Sequence, residues 1–385
     1  MRMNDVPETR TVWQNPVEVI RALKPEHPVM VFAPSVLEGI ARTYLQGFPG
    51  MVTYAVKANP DESLIRALVG AGIKGFDVAS PFEIDLIGRL APGAARHYHN
   101  PIRSQAEIAH AVRAGVTAWS VDCHSELQKL FDAVPPEGCE ISARFKLPVL
   151  GAAYDFGSKF GASPEVTAEL LKAAAERGYT PSLTFHPGTQ CTDPAAWETY
   201  IRIAGEICDA AGVRAQRLNV GGGFPSHRVI GIEPDRQAIF ALIAEVTAQV
   251  FGENAPELVC EPGRGLCADA FALITRVRGL RPDGSVFLND GTYGGLSELP
   301  LIGNIDRIQV FTPEGAPRRG DPHGHVIFGP TCDSVDRLPG EVALPDDIAD
   351  GDFVVFHSAG AYSSATNTRF NGFGQMSQLT VKELE

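Results

Sequence analysis

The sequence predicts an α/β fold: a (β/α)8 TIM-like barrel joined to a second, mostly antiparallel β domain. Two observations predict it. From about residue 50 to 265, short β-branched or aromatic runs alternate with longer helical patterns, the rhythm of parallel strands joined by crossover helices. After about residue 268 the strand patterns follow one another through Gly/Pro-rich loops with no long helix between them.

At 385 residues with 44% hydrophobic content, the chain has material for one large domain and a smaller one. The barrel is expected over residues 35–268, and the β domain over 1–34 with 269–385. Candidate barrel strands are Met51–Lys57, Gly75–Ser80, His97–Asn100, Val116–Asp122, Glu140–Lys146, Ser182–His186, Arg217–Gly221 and Leu258–Glu261. Helical patterns lie between them, for example Pro81–Leu90, Ser104–Ala114 and Pro164–Arg177, opened by Ser caps or first-turn prolines. An open doubly wound sheet gives the same local pattern, but eight such units suit closure into a barrel. Strands of the β domain are expected at Ala270–Leu280, Ser285–Leu288, Arg307–Phe311, His325–Phe328 and Asp352–Phe356.

Composition excludes several function classes. Acidic residues outnumber basic ones, 46 to 33, and no Lys/Arg run occurs, so a nucleic-acid partner is not expected. The first ten residues lack the basic-then-apolar pattern of a signal peptide, and no apolar stretch reaches the length of a membrane span, so a cytoplasmic protein with no membrane partner is expected. Seven scattered cysteines form no Cys-x-x-Cys pair, which argues against a disulfide framework, and no metal centre is expected.

Barrel chemistry sits at the carboxyl ends of the strands, and unusual residues fall there. Lys57 ends the first strand, where desolvation would favour a neutral amine able to form an imine with an aldehyde. Asp77 lies in the second strand, Arg144 in the fifth, and His186 ends the sixth. Gly221, Gly222 and Gly223 follow the seventh, and Glu261 begins Glu261-Pro-Gly263-Arg264-Gly at the end of the eighth. Each has a bland reading. Lys57 alone is more often a snorkelling side chain, Glu261 an ion-pair partner and His186 a core histidine, while the glycines are as readily a tight turn as an anion cradle. Together they fit one molecule: an amine for an aldehyde, glycine N–H groups for a phosphate and a carboxylate for a protonated ring nitrogen describe pyridoxal 5'-phosphate.

The chain resembles the fold-type III pyridoxal-phosphate decarboxylases, in particular the ornithine/lysine decarboxylase-like group, over about residues 28–374. The resemblance rests on Tyr54-Ala-Val-Lys57-Ala-Asn59, Phe76-Asp77-Val-Ala-Ser80, Ser158-Lys-Phe-Gly-Ala162, His186-Pro-Gly-Thr189, Gly221-Gly-Gly-Phe-Pro225, Glu261-Pro-Gly-Arg264, Asn289-Asp-Gly291, Gly329-Pro-Thr-Cys332-Asp333 and Gly360-Ala-Tyr362. It implies that Lys57 carries the cofactor covalently, His186 stacks on its ring and Glu261 pairs with the ring nitrogen. Thr189, Gly223, Gly263, Arg264 and Tyr362 are then expected at the phosphate, with Asp77 and Arg144 near the lysine. It further implies a homodimer with shared sites, in which Cys332 returns a proton to the substrate and Asp333 pairs with its distal ammonium; Tyr293 and Phe370 are expected beside the substrate. The implied reaction is decarboxylation of a basic diamino acid such as L-ornithine or L-lysine. Diaminopimelate, arginine, a carboxy-conjugated diamino acid, or racemisation on the same fold are the alternatives. The family's second acid is missing from Leu299-Pro-Leu-Ile-Gly303, where only Glu298 or Asp306 is near enough to replace it.

Overall fold

The computed structural model describes residues 12–147 and 159–385; Ser158 of the motif above and the first ten residues lie outside them. The chain divides into two units. One comprises Ile40–Ser226 with Pro234–Leu266; the other comprises the chain up to Gly39, His227–Glu233 and Cys267–Glu385.

In the first unit, β2 (Met51–Ala55), β3 (Gly75–Val78), β4 (Ala95–Tyr98), β5 (Ala118–Val121), β6 (Glu140–Arg144), β7 (Thr180–Thr184), β8 (Arg217–Asn219) and β9 (Glu257–Cys260) close into a parallel barrel; β1 (Val29–Phe32) belongs to the other unit. The expected fold class is borne out. Its sequence logic is strict alternation. Thr53, Asp77, His97, Ser120, Ser142, Ser182 and Asn219 are buried polar residues, and each neighbours a buried apolar one on its own strand: Tyr54, Phe76, Tyr98, Trp119, Ile141, Leu183 and Leu218. Parallel register sets Asp77 beside His97, Ser120 beside Ser142 and Ser142 beside Ser182, so the polar set shares one face. Where such barrels are usually filled by branched aliphatics, this interior is small and polar.

The helices between strands are fixed by their first turns. Ser104 caps Gln105–Arg113 in a reciprocal capping box with Glu107, and Ser163 caps Pro164–Glu176, whose first residue is proline.

The second unit is built on β1 (Val29–Phe32). This strand lies between β10 (Phe271–Leu280), antiparallel, and β17 (Ser377–Thr380), parallel. Beyond β10 come β16 (Phe353–His357) and β12 (Ile308–Phe311), while β11 (Val286–Leu288) pairs with β10 and with β14 (Ile327–Phe328). A separate hairpin-like pair joins β13 (Pro322–His325) and β15 (Val342–Pro345). The sheet is thus mostly antiparallel with two parallel pairs. Val29, Val31, Ala272, Ile274, Phe353 and Val355 form its core with Val19 and Ile20 of helix Pro16–Leu23, whose N-cap Asn15 accepts from Glu18 N at 3.0 Å.

Candidate active site

Strand β2 ends at Ala55, and Lys57 sits on the 3-10 turn Val56–Ala58 that follows. This corrects the desolvation expected of it: nearly half of its side-chain surface is exposed (48%), and its Nζ lies 3.4 Å from Asp77 Oδ2. The amine is placed by charge. The turn is held by Asn59 N donating to Val56 O and by the Tyr54 hydroxyl donating to Asn59 O at 2.9 Å.

Four acids and bases converge around this amine. Asp77, buried at the end of β3, has its carboxyl raised by burial and by the Glu261 charge, against Lys57 and His99. Glu261 is buried too, which would raise it, but the His99 charge and hydrogen bond, Lys57 and Asn219 prevail and hold it down to about 2. The two carboxyls are therefore pushed in opposite directions, Asp77 up and Glu261 down. Arg144 ends β6 with its guanidinium 5.3 Å from the Phe160 ring centre; burial lowers its pKa while Glu261, Asp122 and Asp77 oppose. His186 is kept neutral, lowered to about 3 by burial and by the neighbouring Arg144 and Lys57, and its Nδ1 accepts from Gly188 N at 3.1 Å.

The glycine run turns sharply back on the strand ends. Gly221 has φ 70° and Gly223 φ 85°, and a β-carbon on them would lie 2.2 Å from Phe185 O and 2.3 Å from Gly188 O. Both glycines are therefore required by the chain's own crowding, whatever the loop binds. Between them, a β-carbon on Gly222 would sit 2.8 Å from Glu261 O and 3.2 Å from His186 Nε2, so this loop borders both residues. Gly263 packs against Ala58 beside Lys57, and Arg264 Nε donates to Thr189 Oγ1 at 3.5 Å. Lys57, Asp77, Arg144, His186, Thr189, Gly221, Gly222, Gly223, Glu261, Gly263 and Arg264 all belong to the barrel unit.

The remaining expected residues belong to the other unit. Cys332 is exposed, with its N–H donating to Asn371 Oδ1 at 3.1 Å. The Tyr293 hydroxyl donates to Asp333 Oδ2 at 2.6 Å, which lowers the Asp333 carboxyl, and the Tyr293 ring lies 4.8 Å from that of Phe370. These four therefore form one loop cluster. Tyr362 adopts φ 55°, and its carbonyl accepts from Ser297 Oγ at 3.1 Å. Both possible substitutes for the missing acid are engaged in the fold: Glu298 pairs with buried Arg228 at 3.1 Å, and Asp306 Oδ1 accepts from Ile230 N at 2.7 Å.

Sequence reasoning passed over four polar residues near the lysine. Glu261 Oε1 is hydrogen-bonded by His99 Nδ1 and by Asn219 Nδ2, and Asn219 Oδ1 also accepts from Gly221 N at 2.9 Å. Glu83 accepts from Ala79 N at 2.7 Å and is raised to about 7, chiefly by burial. His97 stacks obliquely on His99, ring centres 5.2 Å apart. His97, His99 and Glu261 bring donor atoms within 4.8 Å of one another, a spacing that could suit a cation. In the arrangement seen, His99 Nδ1 and Glu261 Oε1 are hydrogen-bonded to each other, so two of the three groups are already paired.

The donor set fits pyridoxal phosphate. Glu261 Oε2 has no hydrogen bond among the described residues, leaving one carboxylate oxygen for a donor from outside the chain. The comparisons agree. The model of the pyridoxal-dependent decarboxylase family, pyridoxal binding domain, matches residues 37–268. A lysine/ornithine decarboxylase of Selenomonas ruminantium is 32% identical over 84% of this chain and 81% of its own. The crystal structure of the Paramecium bursaria Chlorella virus arginine decarboxylase superposes with a TM-score of 0.84 at 28% identity, covering 94% of this chain and 98% of that one. An SrLDC mutant in complex with PLP gives 0.81 at 29% identity, covering 92% of each chain. With the lysine, the ionised carboxylate and the neutral imidazole gathered at one end of a parallel barrel, and with this match over most of its length, the chain belongs to the pyridoxal-dependent decarboxylases.

Proposed function

We propose that the protein decarboxylates a basic diamino acid, L-ornithine or L-lysine, releasing carbon dioxide and a diamine. The observation that carries this reading is the Lys57 amine set 3.4 Å from Asp77 and within electrostatic reach of an ionised Glu261 and a neutral His186. Lys57 is the amine that joins the cofactor aldehyde, Glu261 accepts the ring N–H, and His186 lies against the ring. The Gly221–Gly223 and Gly263–Arg264 loops, with Thr189 and Tyr362, hold the phosphate through N–H, hydroxyl and guanidinium donors. Pyridoxal phosphate, when bound, supplies the electron-withdrawing ring that takes up the pair left by departing carbon dioxide.

Asp333 is the acid assigned to the distal ammonium on the resemblance; Glu298 and Asp306, the two candidates for the missing second acid, are both engaged in the fold. A charge-assisted contact of that kind contributes roughly 1.5–3 kcal/mol of preference for a diamine product. The names of the relatives support a basic substrate: one acts on lysine and ornithine, another on arginine. We also infer a homodimer in which the Cys332–Asp333 segment serves the partner subunit's Lys57, with Cys332 returning a proton to the substrate's α-carbon.

The test is chemical. Borohydride reduction of the yellow holoenzyme should fix the cofactor on the peptide containing Lys57, and Lys57→Ala should lose both colour and carbon dioxide release. Ornithine and lysine should be turned over ahead of arginine and diaminopimelate. Turnover retained by Lys57→Ala would remove the lysine from its role, and preference for a substrate with no distal cation would remove Asp333 from its own.

A further inference from the structure

Glu261 is a buried carboxylate that needs help to stay ionised, and the help comes from two side chains at the ends of two different barrel strands, β8 and β4. Asn219, the last residue of β8, and His99, just beyond the end of β4, both direct a nitrogen at the same oxygen, Oε1. Asn219 Nδ2 also lies 3.1 Å from His99 Nδ1, and its Oδ1 is tied to Gly221 N, so the amide cannot flip without losing that bond. With both acceptor positions of Oε1 taken, the carboxylate plane is fixed and only Oε2 is left for a further donor. His99 is more than nine-tenths buried, and its Nε2 has no hydrogen-bond partner among the described residues, so its polar contacts there run through Nδ1, to Glu261 and Asn219.

Resting on the cofactor reading above, we propose that His99 is a positioning residue: with Asn219 it fixes Glu261 so that Oε2 accepts the ring N–H of pyridoxal phosphate and keeps that nitrogen protonated. Asn219 alone offers a neutral donor. His99 adds one that can carry the balancing positive charge, with Asp77 and Glu140 facing it as well as Glu261. A buried carboxylate left with the amide alone would tend to take the shared proton itself, and the ring would lose its positive charge.

The experiment uses holoenzyme loaded with pyridoxal phosphate labelled with 15N in the ring. The wild-type resonance is expected at the protonated position. His99→Ala should move it toward the unprotonated position and weaken cofactor binding about tenfold, the effect of losing one charge-assisted hydrogen bond. His99→Asn, whose amide N–H can stand where Nδ1 stands but carries no charge, should bring both readings to values between those of His99→Ala and the wild type. Should His99→Ala not fold, His99→Phe keeps the ring volume while removing both nitrogens and serves in its place. A 15N resonance and cofactor affinity unchanged in the variant lacking the imidazole nitrogens would overturn the proposal alone. Wild-type protein that takes up no cofactor at Lys57 would overturn it together with the reading on which it rests.

Discussion

His97 and His186 are driven in the same direction by the same cause, since each loses so much solvation that its pKa falls to about 3. For His97 the His99 charge adds to burial, with Arg217 a smaller contribution, and Glu261 opposes. An unfolded imidazole binds a proton below about 6.5, whereas the folded one stays neutral, so each such group removes stability as the pH falls from 6.5 toward 3. His97→Leu removes that dependence and also an Nδ1 that has no partner among the described residues. The variant's stability relative to the parent apoprotein should therefore rise by about 2 kcal/mol between pH 7 and pH 5. Parallel urea curves at the two pH values check this, and an offset independent of pH would show that His97 is charged in the folded state. His97 and His99 were legible only as two histidines two apart, one in β4 and one just past its end. What they bind was not, because Asn219 and Glu261 lie more than a hundred residues away. Glu83 was hidden differently. Its Ser80-x-x-Glu pattern reads as a capping box, and Ser80 does accept from Glu83 N at 3.3 Å, but the carboxylate turns to Ala79 N instead.

At the scale of elements, the barrel strands were legible from alternation, and their ends were less so. The first expected strand runs to Lys57, but the pairing with β3 stops at Ala55 and the lysine falls on a turn. β1 and β17 were missed because Val29–Phe32 is a short apolar run and Ser377–Thr380 has Leu379 as its one apolar residue; each becomes a strand through the partner it meets. Helix starts carry a purely local signal, and Ser104 is a clear example. Ser104→Ala removes the acceptor for Glu107 N and should cost about 1 kcal/mol, leaving the cofactor's absorbance unchanged at saturation. An unshifted denaturation midpoint would mean that burial of Ile108 and Ala111 suffices to fix that helix.

For the whole molecule, the inferred sharing of sites between two copies makes a prediction that neither variant alone can give. Lys57→Ala and Cys332→Ala proteins, each impaired, should regain about a quarter of wild-type turnover when co-expressed, because half of the dimers are mixed and one of their two sites is intact. Recovery no greater than the sum of the two would place both residues in one subunit's site. The polar lining of the barrel was legible strand by strand, as Thr53, His97, Ser120, Ser142 and Ser182 within apolar runs, yet only closure brings the set onto one enclosed face. The β-sheet unit offers no such early glimpse of itself. Its central strand, Val29–Phe32, hydrogen-bonds to Phe271–Ile274 on one side and to Ser377–Thr380 on the other. On the ribosome, Val29–Phe32 emerges long before Ser377–Thr380 can cover its second edge, so premature termination between the two releases a chain with a bare, adhesive strand edge for chaperones to shield.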